Sequence, residues 1–226
     1  MLKPTHSRWA RLIFYPYIAA ILRRDFSRFW LTGTMPDIPD SSAVLATPNH
    51  IGWWDGFFMH HINRTLLHKN FYLMILEEQL SIHWYFRHLG VYSIKPGDRK
   101  DIRESLVYTR TLLNKKDSMV VLYPEGELSS QFNCQLDIKG GVKYLSRQEG
   151  NSFSVLPAVF IIQTWDKRKP EIICGFGNAI PSGKVAADYS AYKAHMEHTL
   201  SAVKKAAETR DFSAELFGRE KVIGTR

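Results

Sequence analysis

Cysteine, long apolar runs and repeats are what this sequence lacks. Only two cysteines occur in 226 residues, Cys134 and Cys174, far apart and in no metal-binding or redox spacing. That excludes a disulfide framework and a zinc ribbon, and it fits a reducing compartment with both thiols buried. No apolar run reaches the roughly 20 residues that cross a bilayer. The uncharged N-terminal stretch Leu12–Leu22 stops at Arg23-Arg24, and no secretory pattern with a small-residue cleavage site precedes it. Nothing is repeated or of low complexity. With 45% hydrophobic and 23% charged residues, the balance is that of an ordinary globular chain. Zinc-finger spacing, an RNA-recognition motif and a helix-turn-helix signature are all missing, so nucleic acid is not the expected partner.

Positive charge is in excess. Thirty Lys+Arg against 22 Asp+Glu leave a net +8 and a pI near 9.4. Such a balance favours an anionic partner. Aromatic residues make up 13%, with six Trp, and tryptophan beside arginine is a membrane-interface combination. "WARLIFYPYIAAIL" (Trp9–Leu22) joins both features. We read residues 1–32 as a helix lying on a membrane surface. Arg8, Arg11, Arg23, Arg24 and Arg28 would sit near head groups, with Trp9 and Trp30 in the interface. The competing reading is an N-terminal helix packed into the core. The first reading places the protein at the cytoplasmic face of the cell membrane, peripheral or monotopic.

Residues 33–42, rich in Pro and Asp, read as a linker. Residues 43–210 then form the main domain, and 211–226 a polar tail. Strands are expected at 43–47, 71–76, 91–94, 118–124, 153–162 and 171–176. Helices are expected at 53–67, 77–89, 98–114, 138–149 and 188–210. The alternation predicts an α/β fold with a mixed, largely parallel sheet flanked by helices. The last two strands make a hairpin across "QTWDKRKP". In such sheets chemistry gathers at the carboxyl ends of strands, where "TPNH" and "YPEG" both fall.

"ATPNHIGWWDGFF" (Ala46–Phe58) sets His50 and Asp55 five apart among apolar residues. With nine His in the chain, this spacing is expected roughly 0.4 times by chance, so the pair alone is weak. Five residues apart on a continuous helix do not share a face. Pro48 and Gly52 break such a helix, however, leaving His50 on a loop and Asp55 in the first helical turn. The carboxylate can then hold one ring nitrogen and leave the other as a base. The plain alternative is a satisfied histidine beside a helix cap. Glu125, in "YPEGELS", is thrust out at a strand end by Pro124 and Gly126; alone it reads as an ordinary turn glutamate. "GVYSIKPGDRK" flanks a tight turn with Lys95, Arg99 and Lys100, suited to a phosphate or simply a solvated basic turn. Lys139, in "LDIKGGVKYLS", is a second phosphate candidate or a snorkelling lysine. His50, His60, His61, His68, His83 and His88 are numerous enough to suggest a metal, but no His-Glu-x2-His occurs and none is expected to be bound.

Together these segments resemble one family, the glycerolipid or lysophospholipid acyltransferases related to bacterial 1-acylglycerol-3-phosphate acyltransferase. "PNHIGWWD" looks like its first block, Asn-His-x4-Asp, and "GVYSIKPGDRK" resembles its second. "LYPEGELS" is similar to its third, usually Phe-Pro-Glu-Gly-Thr-Arg-Ser. "VLPAVF" and "IICGFGNAIP" look like its later Pro-centred and Gly-ending strands. Order and spacing match from Val44 to Pro181. The resemblance implies transfer of an acyl group from acyl-CoA or acyl carrier protein to a hydroxyl of a membrane lipid, with no cofactor beyond that co-substrate. It implies His50 as general base, Asp55 as its orienter, and Asn49, Lys95, Arg99, Glu125, Gly126 and Lys139 around the substrate. A non-catalytic lipid-binding protein keeping the fold is the alternative. Two of the blocks depart from the family. Pro96 stands where an arginine is usual, and Glu127-Leu128 stand for Thr-Arg. The departures imply an acceptor less anionic than lysophosphatidic acid: a lysophospholipid, an amino-acid lipid, or a glycolipid or carotenoid glycoside.

Overall fold

The fold is that of a computed structural model describing residues 1–147 and 152–218, without the side chains of Arg8 and Arg11. Nine strands form one sheet among the described residues: β1 (Arg28–Thr32), β2 (Val44–Pro48), β3 (Asn70–Leu76), β4 (Val91–Ile94), β5 (Ser118–Val121), β6 (Ser154–Gln163), β7 (Glu171–Phe176), β8 (Ile180–Pro181) and β9 (Ala214–Glu215). Their order is β4-β3-β5-β2-β6-β7-β1-β9, with β8 beside β6. From β4 to β6 every pairing is parallel. β7 runs antiparallel to β6, and β1 parallel to β7. The fold class is therefore the mixed, largely parallel sheet that the alternation of elements predicts.

Helices cover both faces. Along β2, Val44 and Ala46 face one core and Leu45 the other, as the two-residue period of a strand requires. The first core is closed by α1 (Arg8–Asp25), α2 (Asp55–Ile62) and α3 (Glu77–Ile82), through Leu22, Phe58, Met59 and Leu80. The second is closed by α4 (Arg99–Leu113), α5 (Gly141–Ser146), α6 (Ser182–Ala187) and α7 (Tyr189–Thr209), through Leu112, Val142, Val185 and Met196. A strand buried on both faces reads as a continuous apolar run rather than an alternating one, and all five residues of β2 are buried. Asp98 starts α4 by accepting the N–H groups of Lys100 and Asp101, as its position predicts. Gly90 turns the chain into β4 with φ +98, and a Cβ there would stand 2.1 Å from the Phe71 carbonyl oxygen. Only glycine fits that approach.

Several expectations need correction. Residues 28–32 belong to no surface helix: they are β1, inside the sheet between β7 and β9. Trp30 donates its indole N–H to Glu171 and stacks on Phe212, so it does not reach an interface. Arg23 donates to the Phe217 carbonyl, and Arg24 pairs with Asp25. The segment after 210 is not uniformly polar, because β9 pairs with β1 and Phe217 is buried; residues 219–226 lie outside the described residues. The helix expected to 67 changes at Asn63 to a π-helical turn, which ends at His68 with φ 54. The helix expected over 77–89 splits at His83 into α3 and a 3-10 turn, Trp84–Leu89. The helix expected over 138–149 spans Gly141–Ser146, with 148 and 149 outside the described residues. Cys174 is buried, and burial pushes its thiol pKa up, but Cys134 is exposed.

Candidate active site

The carboxyl ends of β2, β5, β3 and β4 lie along one edge of the sheet, because these strands are parallel neighbours. Just past β2, Asn49 is almost fully buried. Its N–H donates to Ala158 O (3.2 Å), its Nδ2 to Phe160 O (3.0 Å), and its Oδ1 accepts the Phe160 N–H (2.8 Å). The side chain is spent on β6. Asn49 fixes where the loop leaves the sheet.

His50 follows, with 24% of its side chain exposed. Its Nδ1 lies 2.9 Å from Asp55 Oδ2, and Asp55 is fully buried at the first turn of α2. The same Oδ2 accepts the backbone N–H groups of Ile51 (2.7 Å) and Gly52 (2.9 Å). An oxygen already receiving two N–H bonds is an acceptor, so the proton of the third contact belongs to Nδ1. That tautomer leaves Nε2 with a free lone pair. The loop turns back on its own helix because Gly52 and Pro48 prevent a continuous helix through it, as the sequence predicts.

Glu125 closes the pair from β5. Its Oε2 accepts the His50 N–H at 3.1 Å, and the side chain is 2% exposed. The Tyr123-Pro124-Glu125-Gly126 turn holds it there: Gly126 donates to Tyr123 O (3.2 Å) with φ +74, a left-handed angle that favours glycine. The Ser129 N–H donates to His50 O at 2.7 Å. The sequence therefore brings His50, Asp55, Glu125 and Gly126 into one cluster, with a buried carboxyl on each side of the His50 loop.

Tyr123 is the residue that sequence reasoning missed. Its ring stacks on the imidazole with centroids 3.9 Å apart and planes at 15°. Burial, reinforced by the Asp55 charge, pushes its phenol well above the ordinary range, so the stacked ring is neutral. An aromatic placed just before Pro-Glu-Gly was the available signal.

Lys95 and Arg99 stand apart from this cluster, while Lys139 lies against it. Lys139 donates its backbone N–H to Pro124 O (2.8 Å), which sets it against the turn, but its ammonium contacts Asp137 and lies 3.6 Å from Glu127. Lys95 Nζ is 2.9 Å from Glu77, and its N–H donates to Asp101. Arg99 is exposed at the start of α4. Lys95 and Arg99 follow β4, three places along the sheet from β2. At about 4.8 Å per strand this is roughly 14 Å. The other histidines do not gather into a metal site. His60 is buried between Tyr15 and Phe71, and His61 contacts Leu216 O through Nε2. Among the described residues no three of His, Cys, Asp and Glu are grouped to hold a metal ion.

Comparison with known proteins agrees with this architecture. Among solved structures, the 1-acyl-sn-glycerophosphate (LPA) acyltransferase PlsC from Thermotoga maritima shares the fold, with a TM-score of 0.56 and 15% identity over 87% of this chain and 81% of that one. At such identity the likeness concerns the fold alone. No curated protein sequence matches the chain significantly. The sequence profile of the Acyltransferase family matches residues 33–161, more than half of the chain and all of the loops that carry His50, Asp55 and Glu125. The chain belongs to the acyltransferase family.

Proposed function

We propose that the protein moves a fatty acyl group from a thioester, acyl-CoA or acyl carrier protein, to a hydroxyl of a lipid acceptor such as a lysophospholipid. His50 acts as general base and Asp55 orients it. The observation that carries this reading is the 2.9 Å contact between His50 Nδ1 and an Asp55 oxygen fixed by two further N–H bonds. With Nδ1 held, Nε2 takes the acceptor's proton as its oxygen attacks the thioester carbonyl. The C–S bond then breaks, and the departing thiolate recovers the proton from the imidazolium. The attack is direct. A thioester is already activated, so neither an acyl-enzyme nor a metal is required. General-base action supplies about 10²–10⁴-fold, and positioning the two substrates supplies much of the rest. Glu125 and Gly126 shape the acceptor side by fixing the loop over which it passes.

A membrane surface is the natural source of the lipid acceptor. No described helix is long and apolar enough to cross a membrane. Yet α1 is apolar on both sides: Ile18 and Leu22 point into the core, while Trp9, Leu12, Ile13 and Tyr17 form an exposed stripe at helical spacing. Phe14 stacks on Tyr85 of the 3-10 turn, whose neighbours Ile82 and Trp84 are also exposed, as is Trp53 beside the His50 loop. Exposed apolar surface of this extent suits a lipid interface rather than water. We place the protein there, at the cytoplasmic face.

The test is His50→Ala. Acyl transfer from a thioester to a lysophospholipid falls to background, while the circular dichroism spectrum and liposome binding persist. Unchanged transfer rejects the base, and absence of any transfer by the wild-type protein favours a non-catalytic lipid-binding role.

A further inference from the structure

Leu128 and Phe132 stand out into solvent, 63% and 80% exposed, on the segment that follows the Pro-Glu-Gly turn. Its backbone is not free to tuck them in. The Ser129 N–H donates to His50 O at 2.7 Å. Gln131 grips the end of β6, its Nε2 donating to Ile162 O and its Oε1 accepting the Ile162 N–H, both at 3.0 Å. The Asn133 N–H donates to Ser130 O (3.0 Å), and Lys204 Nζ donates to Asn133 O (2.6 Å). A loop pinned at its start, middle and end holds an aromatic ring in water, where its apolar surface is unfavourable.

The turn beside it is basic. β6 runs parallel to β2 as its neighbour, so the β6–β7 turn, residues 164–170, rises at the same edge as the His50 loop. It carries Lys167, Arg168 and Lys169, all exposed, against one carboxylate, Asp166. The turn is fastened to the end of α1: the Ser27 N–H donates to Pro170 O at 2.9 Å and Lys169 Nζ to Arg23 O at 3.5 Å. The carboxylates of the 127–139 loop, Glu127 and Asp137, face Lys139. α1 closes the first core, whereas this loop joins the second through Leu136 and Ile138. The apolar stripe of α1 and the apolar pair of the loop therefore flank the His50 mouth from opposite faces of the sheet, with the cations between them. Apolar side chains beside Lys and Arg at one rim suit entry among anionic head groups.

We propose that residues 128–132 form a second membrane anchor: Leu128 and Phe132 enter an anionic bilayer across the mouth from α1, and Lys167 and Arg168 meet its head groups. This rests on the reading of acyl transfer at a lipid interface and adds its orientation. The carboxyl edge of the sheet faces the bilayer, and a lipid hydroxyl reaches His50 between two anchored segments.

Sedimentation of the full chain with phosphatidylcholine vesicles, with and without phosphatidylglycerol, tests it. Wild type is expected to bind the anionic vesicles more tightly. Phe132→Ser is expected to weaken binding to both about tenfold. Lys167→Gln with Arg168→Gln is expected to weaken binding to the anionic vesicles about tenfold or more, and to the others little. Acylation of a water-soluble short-chain lysolipid by a short-chain acyl-CoA should be unchanged in these variants and lost in His50→Ala. Equal vesicle binding by wild type and either variant overturns the inference and leaves the acyl-transfer reading in place. Absence of vesicle binding by wild type overturns the inference and the interfacial placement together, while the soluble substrates still decide the chemistry. A wild-type dimer in size-exclusion chromatography that Phe132→Ser dissociates would assign the loop to a second copy of the chain, and also overturns it.

Discussion

His50 and His60 are the same side chain on one stretch of chain, and they could hardly be placed more differently. His50 lies on the loop past β2, partly exposed, bonded through Nδ1 to Asp55 and stacked on Tyr123. His60 points inward from α2 between Tyr15 and Phe71, and its Nε2 is buried with no hydrogen-bond partner among the described residues. Burial, with Arg64 and His61 nearby, pushes its pKa from 6.5 down to about 3. A carboxylate partner and an open side suit one imidazole to the proposed role of base. Their absence makes the other a core aromatic. The residue type supplies the capacity, and the partner and the exit decide whether it is used.

Removing the partner is the strongest way to break the contrast. In Asp55→Asn a single oxygen in the place of Oδ2 can still accept the N–H groups of Ile51, Gly52 and Nδ1, so the loop and the tautomer persist. The amide nitrogen takes the place of Oδ1, and the negative charge that supports an imidazolium is lost. The expected loss in kcat is up to about 10²–10⁴-fold. Activity close to wild type in a folded variant would show that the carboxylate's charge does not support the base.

Removing the stack is a milder test of the same difference. Tyr123→Phe keeps the ring beside His50 and is expected to retain nearly full activity. Tyr123→Leu removes it, and the imidazole loses an orienting contact of about 0.5–1.5 kcal/mol. The expected fall in kcat is up to about tenfold, with KM little altered. A loss in the Phe variant as large as in the Leu variant would move the role from the ring to the hydroxyl.

Much of this was legible from local pattern. β4 and β7 fall at the residues their apolar runs predict. Asp98 caps α4, and Pro48 with Gly52 foretells that His50 leaves the sheet on a loop. What was hidden depended on partners distant in sequence. β1 is five residues, Arg28–Thr32, with charge and aromatics and no alternation of its own; it is a strand because β7 and β9 flank it, and non-local pairing leaves little trace in a local window. Asn49 reads as a site residue in the sequence, and the fold bonds both ends of its amide to Phe160. Lys95 and Lys139 read as anion ligands in the sequence, and the fold sets Glu77 and Asp137 beside them. Residue type showed which groups were polar, and only the fold showed on what their polarity was spent.

The smallest effect on activity is expected at His60, where the readout is stability. The unfolded imidazole takes up a proton near 6.5, and the folded one only near 3. Below about 6.5 the unfolded state therefore binds more protons, so stability falls as pH falls, by up to about 1.4 kcal/mol per pH unit until the folded imidazole titrates. His61, whose pKa burial also lowers, acts in the same direction and remains in the variant. His60→Phe keeps an aromatic between Tyr15 and Phe71 and removes the unpartnered Nε2. Urea titrations at pH 7.5 and pH 5 should show a wild-type loss exceeding that of the variant by about 2 kcal/mol, with kcat at neutral pH unchanged. Equal losses in both proteins would mean that His60 finds a proton-accepting partner on acidification, and the sharp distinction between the two histidines would then rest on exposure alone.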